Sequence, residues 1–267
     1  QPNAMGGREV GGLANQLAAH MDFAEQDIET VSTFWNAANI ARQPGLKAVD
    51  MFDAILSGEI KAIWIMATNP LVSMPEVHKV RQSLENCELV IVSDCIQDTN
   101  TSQYADVLLP ALAWGEKDGT VTNSERRISR QRAFLDAPEE ARADWWIVNE
   151  VAKRMGFEDA FSYQTIDEIW REHAALSAFE NNGQRDFDLS GLMDLPAEDY
   201  DQLQPLQWPF YRNASPDKSH MFEDRGFLSC RLKARFIPVQ RCSELSLTSV
   251  EYPLILNTGR IRDQWHT

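Results

Sequence analysis

Two short apolar runs decide the fold class: K-A-I-W-I-M-A at residues 61–67 and E-L-V-I-V-S at residues 88–93. Both are rich in strand-forming residues and bounded by turn signals, a combination that favours buried parallel strands. A helical pattern lies between them at residues 75–86, and a third short strand is predicted at residues 106–109, closed by Pro110. Strand–helix–strand alternation at this pace predicts an α/β fold with a doubly wound, mostly parallel sheet.

Polar residues stand where the first two predicted strands end. Asn69 follows the first run within the turn signal T-N-P, and Ser93 and Asp94 end the second run. Sheets of this kind bind ligands in the crevice beyond the carboxyl ends of their strands. We therefore expect Asn69, Ser93 and Asp94 to line a ligand-binding edge.

Further helices are predicted on both sides of these strands. One covers residues 48–56 and is ended by Gly58, and another covers residues 143–155. A third opens with the capping box T-I-D-E at residues 165–168 and runs to about residue 178. These helices supply the layers that a parallel sheet needs on its faces.

The N-terminal residues 1–22 contain four glycines, within the motif G-G-R-E-V-G-G. Glycine tolerates positive φ and lets a backbone approach a ligand closely. The pattern predicts a loop that leads into a helix at residues 12–20. The loop either faces a cofactor or closes the domain, and the sequence favours neither.

A change of character follows the last predicted helix. Residues 186–211 hold several prolines and six acidic residues with no basic residue among them, which predicts an irregular, solvated connection. Short β patterns return at residues 227–239 and 252–256. We therefore expect a second, β-rich unit, which this chain only begins.

Charge and cysteine content limit the classes of function. The 267 residues include 25 Lys and Arg against 40 Asp and Glu, a net charge of −15, which argues against nucleic acid or an anionic membrane as partner. No apolar stretch is long enough to span a bilayer, and no signal peptide is visible. The four cysteines form no C-x-x-C pair and have no nearby histidine at ligand spacing, so we expect reduced thiols and a cytoplasmic location.

The chemistry expected of the chain is binding rather than catalysis. There is no Walker A motif, no G-x-S-x-G and no strand-linked G-x-G-x-x-G, and the last absence argues against an NAD-dependent dehydrogenase. We predict neither a catalytic nucleophile nor a metal site, so an enzyme containing this chain uses it to hold a cofactor. The chain begins at Gln1 rather than Met and stops directly after a dense motif at Thr267. We therefore expect it to be a piece of a longer protein.

An ordered set of motifs resembles the molybdopterin oxidoreductase family, and within it the catalytic subunits of bacterial nitrate reductases of the assimilatory branch. The motifs are Q-P-N-A-M-G-G-R-E-V-G at 1–11, W-I-M-A-T-N-P at 64–70, I-V-S-D at 91–94 with T-N-T at 99–101, Y-A-D-V-L-L-P at 104–110, W-G-E-K-D-G-T-V-T-N-S-E-R-R at 114–127, E-A-R-A-D-W-W at 140–146 and T-G-R-I-R-D-Q-W-H-T at 258–267. The resemblance covers nearly the whole chain, and it rests on the order of the motifs rather than on any single one.

The resemblance implies a cofactor and an activity for the whole enzyme. The cofactor is molybdenum bound by two molybdopterin guanine dinucleotides. A [4Fe–4S] cluster and the molybdenum ligand belong to the part upstream of Gln1. The whole enzyme takes two electrons from an electron-donor protein or reductase subunit and reduces nitrate to nitrite. No residue of this chain performs the oxygen transfer.

The resemblance also implies a domain division. It predicts a glycine-rich, cofactor-proximal loop and helix at residues 1–22 and an α/β molybdopterin-dinucleotide-binding domain at residues 23–180. An irregular acidic connection at residues 181–244 and the start of a truncated C-terminal β-barrel domain at residues 245–267 follow.

Cofactor contacts carry over to matching positions of this chain. Asp94 is the candidate for the guanosine end, since a carboxylate suits the N–H donors of a guanine edge, and Asp144 is a second candidate. Asn69 and Ser93 are assigned to ribose or phosphate, and Lys117 to a phosphate. The T-G-R turn and the residues after it are assigned to the pterin or phosphate: Thr258, Gly259, Arg260, Ile261, Arg262, Asp263, Gln264, Trp265, His266 and Thr267.

Structural interpretations stand beside these assignments. In these alternatives Asp94 caps the following turn, Asn69 is only part of a turn, and Lys117 is a surface lysine. Asp144 is a helix N-terminal charge favoured by the helix dipole. Trp265 packs in a core, whereas Arg126 and Arg127 form structural ion pairs, which is the interpretation we favour for them.

Alternative functions remain open. One alternative stays within the family but has formate or another small oxyanion as its substrate. The second alternative belongs to a different class of function, in which the chain is a non-catalytic α/β domain that binds a nucleotide or a partner subunit.

Overall fold

The computed structural model describes residues 3–212, 236–239 and 248–256. The chain divides into two compact units. One comprises Pro2–Ser215, and the other comprises Gln1 with Pro216–Thr267. The first unit contains every helix and strand named below.

The first unit combines helices and strands, and helix–strand alternation is confined to the part of the chain that forms the parallel sheet. In chain order they are α1 (Ala4–Glu9), α2 (Glu25–Trp35), α3 (Ala48–Leu56), β1 (Ala62–Met66), α4 (Pro70–Ser73), α5 (Val77–Asn86), β2 (Leu89–Asp94), β3 (Val107–Pro110), β4 (Gly119–Thr122), β5 (Arg127–Gln131), α6 (Asp144–Arg154), α7 (Ile166–Ala178), α8 (Ala197–Asp201) and β6 (Leu206–Gln207). Single 3₁₀ turns lie at Ala18–His20, Ser102–Tyr104, Trp114–Glu116 and Ser190–Leu192.

A three-stranded parallel sheet in the order β1-β2-β3 confirms the predicted strands. Trp64 of β1 pairs with Ile91 of β2, which pairs with Val107 of β3. The run at residues 61–67 ends because Ala67 adopts a positive φ of 51°. The sheet therefore aligns the carboxyl ends of its strands at one edge, as the sequence predicts.

Helices α3 and α5 cover one face of this sheet. Phe52 of α3 and Val80 of α5 are buried in one core with Ile63 of β1 and Val90 of β2. Burial of such side chains stabilises the layer by about 2 kcal/mol each. On the other face Met66 of β1 and Leu89 of β2 are each 37% exposed. The α/β class is thus confirmed, whereas the second helical layer of a doubly wound sheet stays a prediction.

A second, antiparallel sheet was not predicted from the sequence. Its strand order is β4-β5-β6, and β6 comes from residues far along the chain. Arg126, in the β4–β5 turn, lies over the ring of Trp208 at 5.4 Å and donates to the Trp208 carbonyl. Arg127 lies 3.9 Å from Glu125. Both arginines have structural contacts, but within the part of the chain that the structure describes only Arg127 makes the expected ion pair.

The predicted helix at residues 12–20 is wrong. The helix lies earlier, at Ala4–Glu9, and residues 18–20 form only a 3₁₀ turn in which Ala19 has φ 55°. Gly11 ends the first helix with φ 73°, and a Cβ there would lie 2.6 Å from the backbone nitrogen of Ala18. Only glycine fits this close approach, so the chain turns where we expected a helix to begin.

The predicted solvated connection at residues 186–211 is also wrong. Phe187 and Leu189 are fully buried, α8 and β6 form there, and β6 pairs with β5. Two of its acidic side chains contact residues that are distant in the sequence: Asp186 lies 3.8 Å from His20, and Asp201 lies 3.1 Å from Arg130. The part of the expected connection that the structure describes, residues 181–212, belongs to the first unit.

The strands that we expected from the β patterns of the second unit are not present in the residues described there. Residues 236–239 and 248–256 have neither helix nor strand, and most of their large apolar side chains are strongly exposed. A β pattern becomes a strand only when another strand completes its hydrogen bonds. The rest of the pattern at 227–239 lies outside the described residues, and the expected barrel stays a prediction.

Candidate functional site

The candidate site is the edge at which the strands of the parallel sheet end. Asp94 is the last residue of β2, and Asn69 follows β1. Lys117 lies beyond β3, after the 3₁₀ turn at Trp114–Glu116. Parallel strands bring their carboxyl ends to the same edge, so the fold places these three polar residues on one side of the sheet.

Asn69 is held by a contact from the neighbouring connection. It is the N-cap residue of α4, yet its side chain makes no capping hydrogen bond. Its Oδ1 accepts a 2.6 Å hydrogen bond from the hydroxyl of Thr101, and the same hydroxyl accepts the Leu71 N–H at 3.3 Å. The turn that we considered is present, but the Asn69 side chain is not used to close it.

Asp94 makes the local turn contact that the sequence suggested, and its contact with guanosine stays a prediction. Its Oδ1 accepts the backbone N–H of Ile96 at 3.0 Å, which is the local turn contact. The residue is nevertheless half-buried rather than enclosed, at the end of a central strand. Burial, and then the Asp94 charge, raise the pKa of the adjacent Cys95 thiol. A carboxylate fixed through one oxygen can therefore accept from a ligand through the other.

Ser93 differs from Asp94 in accessibility. It is only 2% exposed, and its hydroxyl accepts a 2.8 Å hydrogen bond from the indole N–H of Trp64 on β1. The Ser93 hydroxyl is thus both buried and already engaged by Trp64. The proposed contact of Ser93 with the cofactor stays a prediction, and the present arrangement gives Ser93 a partner within the sheet.

Lys117 and Asp144 contact each other. The Lys117 Nζ lies 2.6 Å from Asp144 Oδ2, and both side chains are about one-third exposed. Asp144 is also the first residue of α6, where a negative charge is favoured. The structure therefore brings two of the predicted site residues together as an ion pair, which the sequence did not indicate.

The remaining predicted site residues, 258–267, lie outside the described residues, including Trp265. Two contributors to the edge were not assigned from the sequence. Thr101 stood inside the quoted motif T-N-T, and Trp64 opened the motif W-I-M-A-T-N-P. The sequence showed that both residues belong to motifs, but it did not show their hydrogen-bond partners.

Across the three described stretches, no group of three His, Cys, Asp or Glu side chains could hold a metal ion. The polar groups present at the edge are a carboxylate, a primary amide and an ammonium group. Such groups suit the nucleotide end of a cofactor better than a soft redox metal.

A second polar cluster fixes the glycine-rich N-terminal helix. Glu9 accepts hydrogen bonds from the indole N–H of Trp208 at 2.7 Å and from the Thr122 hydroxyl at 2.9 Å. Burial raises the pKa of Glu9, although both donors act in the opposite direction. Asn3 Oδ1 also accepts the Thr122 backbone N–H at 2.8 Å. These contacts attach α1 to the β4–β5 hairpin, in favour of its role in closing the domain.

His173 of α7 lies in the same interior, and burial lowers its pKa to about 4. The unfolded chain therefore binds a proton at this residue below pH 6.5 while the folded protein does not, so folding stability is lost as the pH falls from 6.5 towards 4. We expect His173 to lower the free energy of unfolding by about 2 kcal/mol between pH 7 and pH 5. Urea denaturation at the two pH values measures this, and His173→Gln removes that part of the pH dependence.

The matched control is His78→Gln, since His78 is an exposed histidine on α5. This control is expected to keep the pH dependence of the parent protein. An unchanged difference between pH 7 and pH 5 in His173→Gln would contradict the assignment.

The fold defines an α/β protein with polar groups at the carboxyl edge of a parallel sheet, and comparison with known proteins names the family. The profile of the family Molybdopterin oxidoreductase matches residues 3–154, more than half of the chain. The chain therefore belongs to the molybdopterin oxidoreductase family. This confirms the family resemblance of the motifs, and membership implies a molybdenum–pterin cofactor.

Individual relatives are similar along the whole chain. It is 54% identical to a nitrate reductase of Klebsiella oxytoca over 100% of this chain and 30% of the relative. A nitrate reductase of Shewanella frigidimarina is 48% identical, over 100% and 29%. The F420-dependent formate dehydrogenase 2 subunit alpha of Methanococcus maripaludis is 32% identical, over 98% and 36%. The chain thus spans about a third of the length of these curated relatives.

Among solved structures, acetylene hydratase from Pelobacter acetylenicus overlaps 69% of this chain and 23% of its own, with 20% identity and a TM-score of 0.49. This likeness is too weak to add to the family assignment. No helix in the described parts of the chain is long and apolar enough to cross a membrane.

Proposed function

We propose that this chain is part of a molybdenum-dependent nitrate reductase and holds the guanine dinucleotide end of its molybdopterin cofactor. The choice of nitrate as the substrate rests on the 54% identity to the Klebsiella oxytoca nitrate reductase along the full chain. The formate dehydrogenase subunit from Methanococcus maripaludis reaches only 32%. Nitrate is therefore the first candidate substrate.

The groups at the sheet edge support the binding role. A guanine edge offers N–H donors, for which the Asp94 carboxylate is a suitable acceptor. The Asn69 amide nitrogen and the Lys117 ammonium are donors for ribose and phosphate oxygens. The chemistry of this set fits a guanine nucleotide, because acceptor and donors occur side by side at one edge.

Asp144 acts through Lys117 in this proposal. Their 2.6 Å contact holds the ammonium group near the end of the sheet. Removing the Asp144 carboxylate would leave the lysine free to sample other rotamers, so phosphate binding by Lys117 would cost more side-chain entropy. The role of Asp144 is then to position Lys117, rather than to contact guanosine as a second carboxylate.

The bound molybdenum centre supplies two-electron oxygen-atom chemistry, and this chain supplies binding and orientation. In the whole enzyme we place the [4Fe–4S] cluster and the molybdenum ligand in the upstream part, with electrons arriving from a donor protein or reductase subunit. A relative named assimilatory nitrate reductase catalytic subunit, from Bacillus subtilis, is 28% identical, which supports an assimilatory, cytoplasmic role.

The test is nitrate-dependent oxidation of a reduced viologen dye by the full-length protein purified with its metals. We expect turnover with nitrate and no oxidation when nitrate is omitted. The 267-residue chain alone is expected to reduce no nitrate, because it contains no predicted catalytic residue. A molybdenum-loaded enzyme that ignores nitrate but oxidises formate would replace this proposal with the formate alternative, for which the Methanococcus relative is the supporting observation.

A further inference from the structure

The side chain of Asn69 does not do what an asparagine at a helix start usually does. An N-cap asparagine normally accepts the backbone N–H of the second or third helical residue through its own side-chain oxygen. Asn69 precedes α4, with Pro70 first and Leu71 second, yet its side chain makes no such bond. The N–H of Leu71 is bonded elsewhere.

The hydroxyl of Thr101 takes over this capping contact. It accepts the Leu71 N–H at 3.3 Å and donates its own proton to Asn69 Oδ1 at 2.6 Å. A hydroxyl has only one proton to donate, and here it goes to the asparagine oxygen. Thr101 is 0% exposed, so no solvent competes for these contacts.

The consequence concerns the other end of the Asn69 amide. Because Oδ1 is occupied, the orientation of the amide is set, and the nitrogen with its two protons is the remaining polar group. Within the described residues this nitrogen donates to no protein acceptor, and the residue is only half-buried. Asn69 therefore has two amide protons available to an acceptor at the end of β1.

We propose that Thr101 is a positioning residue, which fixes the Asn69 amide so that its nitrogen donates to an acceptor oxygen of the bound nucleotide. This inference rests on the proposed function and names one more residue of its binding edge. The ligand chemistry is that of a phosphate or ribose oxygen. Thr101 itself does not contact the ligand, because Asn69 and Leu71 already use its hydroxyl.

The experiment compares four variants of the full-length protein: Thr101→Val, Thr101→Ser, Asn69→Ala and the Thr101→Val/Asn69→Ala double variant. The readout is the time for which the protein keeps its cofactor during dilution, measured as GMP liberated by acid hydrolysis per mole of retained protein. Thr101→Val is expected to shorten retention roughly threefold to tenfold, comparable to Asn69→Ala. Thr101→Ser keeps the hydroxyl and should restore retention.

The double variant separates positioning from general stability. If Thr101 acts through Asn69, the double variant loses no more cofactor than Asn69→Ala alone, because the contact is already gone. The melting temperature of the cofactor-free protein, measured in parallel, reports any purely structural loss. A structural role would add its effect on cofactor retention to that of Asn69→Ala, whereas some loss of melting temperature follows from the unpaired Leu71 N–H in either case.

The two possible failures are distinguishable. If Asn69→Ala retains cofactor like the parent protein, this edge does not bind the nucleotide, and both the proposed site and the role of Thr101 are overturned. If Asn69→Ala loses cofactor while Thr101→Val does not, or if their effects multiply in the double variant, only the role of Thr101 is overturned.

Discussion

Replacing Asp94 by alanine is expected to remove most of the nucleotide cofactor from the full-length protein. Asp94 ends the central strand of the parallel sheet, and its carboxylate is the only acidic group assigned directly to guanosine in our proposal. Hydrogen bonds to a charged group contribute about 1.5–3 kcal/mol, so affinity should fall roughly tenfold to hundredfold. Molybdenum and GMP content per mole of purified protein measure the loss.

Asp98→Ala is the matched control for this prediction. Asp98 lies in the same connection and is exposed, and its side chain makes a single long contact with the described residues, 3.4 Å to Gln103. The substitution removes the same charge without touching the sheet edge, and it should leave cofactor content unchanged. Equal cofactor content in both variants would show that the charge at the strand end is not used for binding.

Replacing Phe187 by alanine is expected to lower the free energy of unfolding by about 3–5 kcal/mol. Phe187 is 0% exposed, and its ring lies 5.3 Å from Trp208 and 5.1 Å from His20. Its removal leaves a cavity among aromatic rings that cannot all move to fill it. Urea denaturation followed by tryptophan fluorescence measures the change.

Phe134→Ala provides the comparison, because Phe134 is 69% exposed. The same atoms are deleted from the surface, so a change within about 0.5 kcal/mol is expected. If the Phe187 variant were no less stable than the Phe134 variant, residues 186–211 would be the solvated connection that the acidic composition suggested, and the packing described above would be wrong.

The parallel sheet was predictable because its signals are local. The runs at residues 61–67 and 88–93 are apolar and end at turn residues, and a segment with helical periodicity lies between them. The polar residues Asn69 and Asp94 could be placed at the edge for the same reason, since the end of a strand in sequence is its end in space.

The acidic segment was not predictable because its partners are distant. Asp201 pairs with Arg130, more than sixty residues away, and Asp186 lies 3.8 Å from His20, far nearer the N-terminus. Composition counts charges but does not show which of them meet. The apolar residues of the segment, including Phe187 and Leu189, form only short patterns among polar residues, glycine and proline, so no pattern identified them as core.

The contacts within the candidate site were unpredictable for a related reason. Thr101 and Asn69 are separated by 32 residues, and Lys117 and Asp144 by 27. The sequence identified Lys117 and Asp144 as polar groups of the site, but it assigned each to the ligand separately. Only the fold shows that they pair with each other, and that Thr101 determines which end of Asn69 is free.

The central claim is that the carboxyl edge of the parallel sheet binds the guanine end of the cofactor. A cofactor-bound structure of the full-length protein tests it most directly, through the distance from the Asp94 carboxylate to the nearest guanine nitrogen. We predict a hydrogen bond of about 2.7–3.2 Å, with the Asn69 amide nitrogen on a ribose or phosphate oxygen. A guanine bound elsewhere, with the Asp94 carboxylate in contact only with protein or water, would contradict the claim.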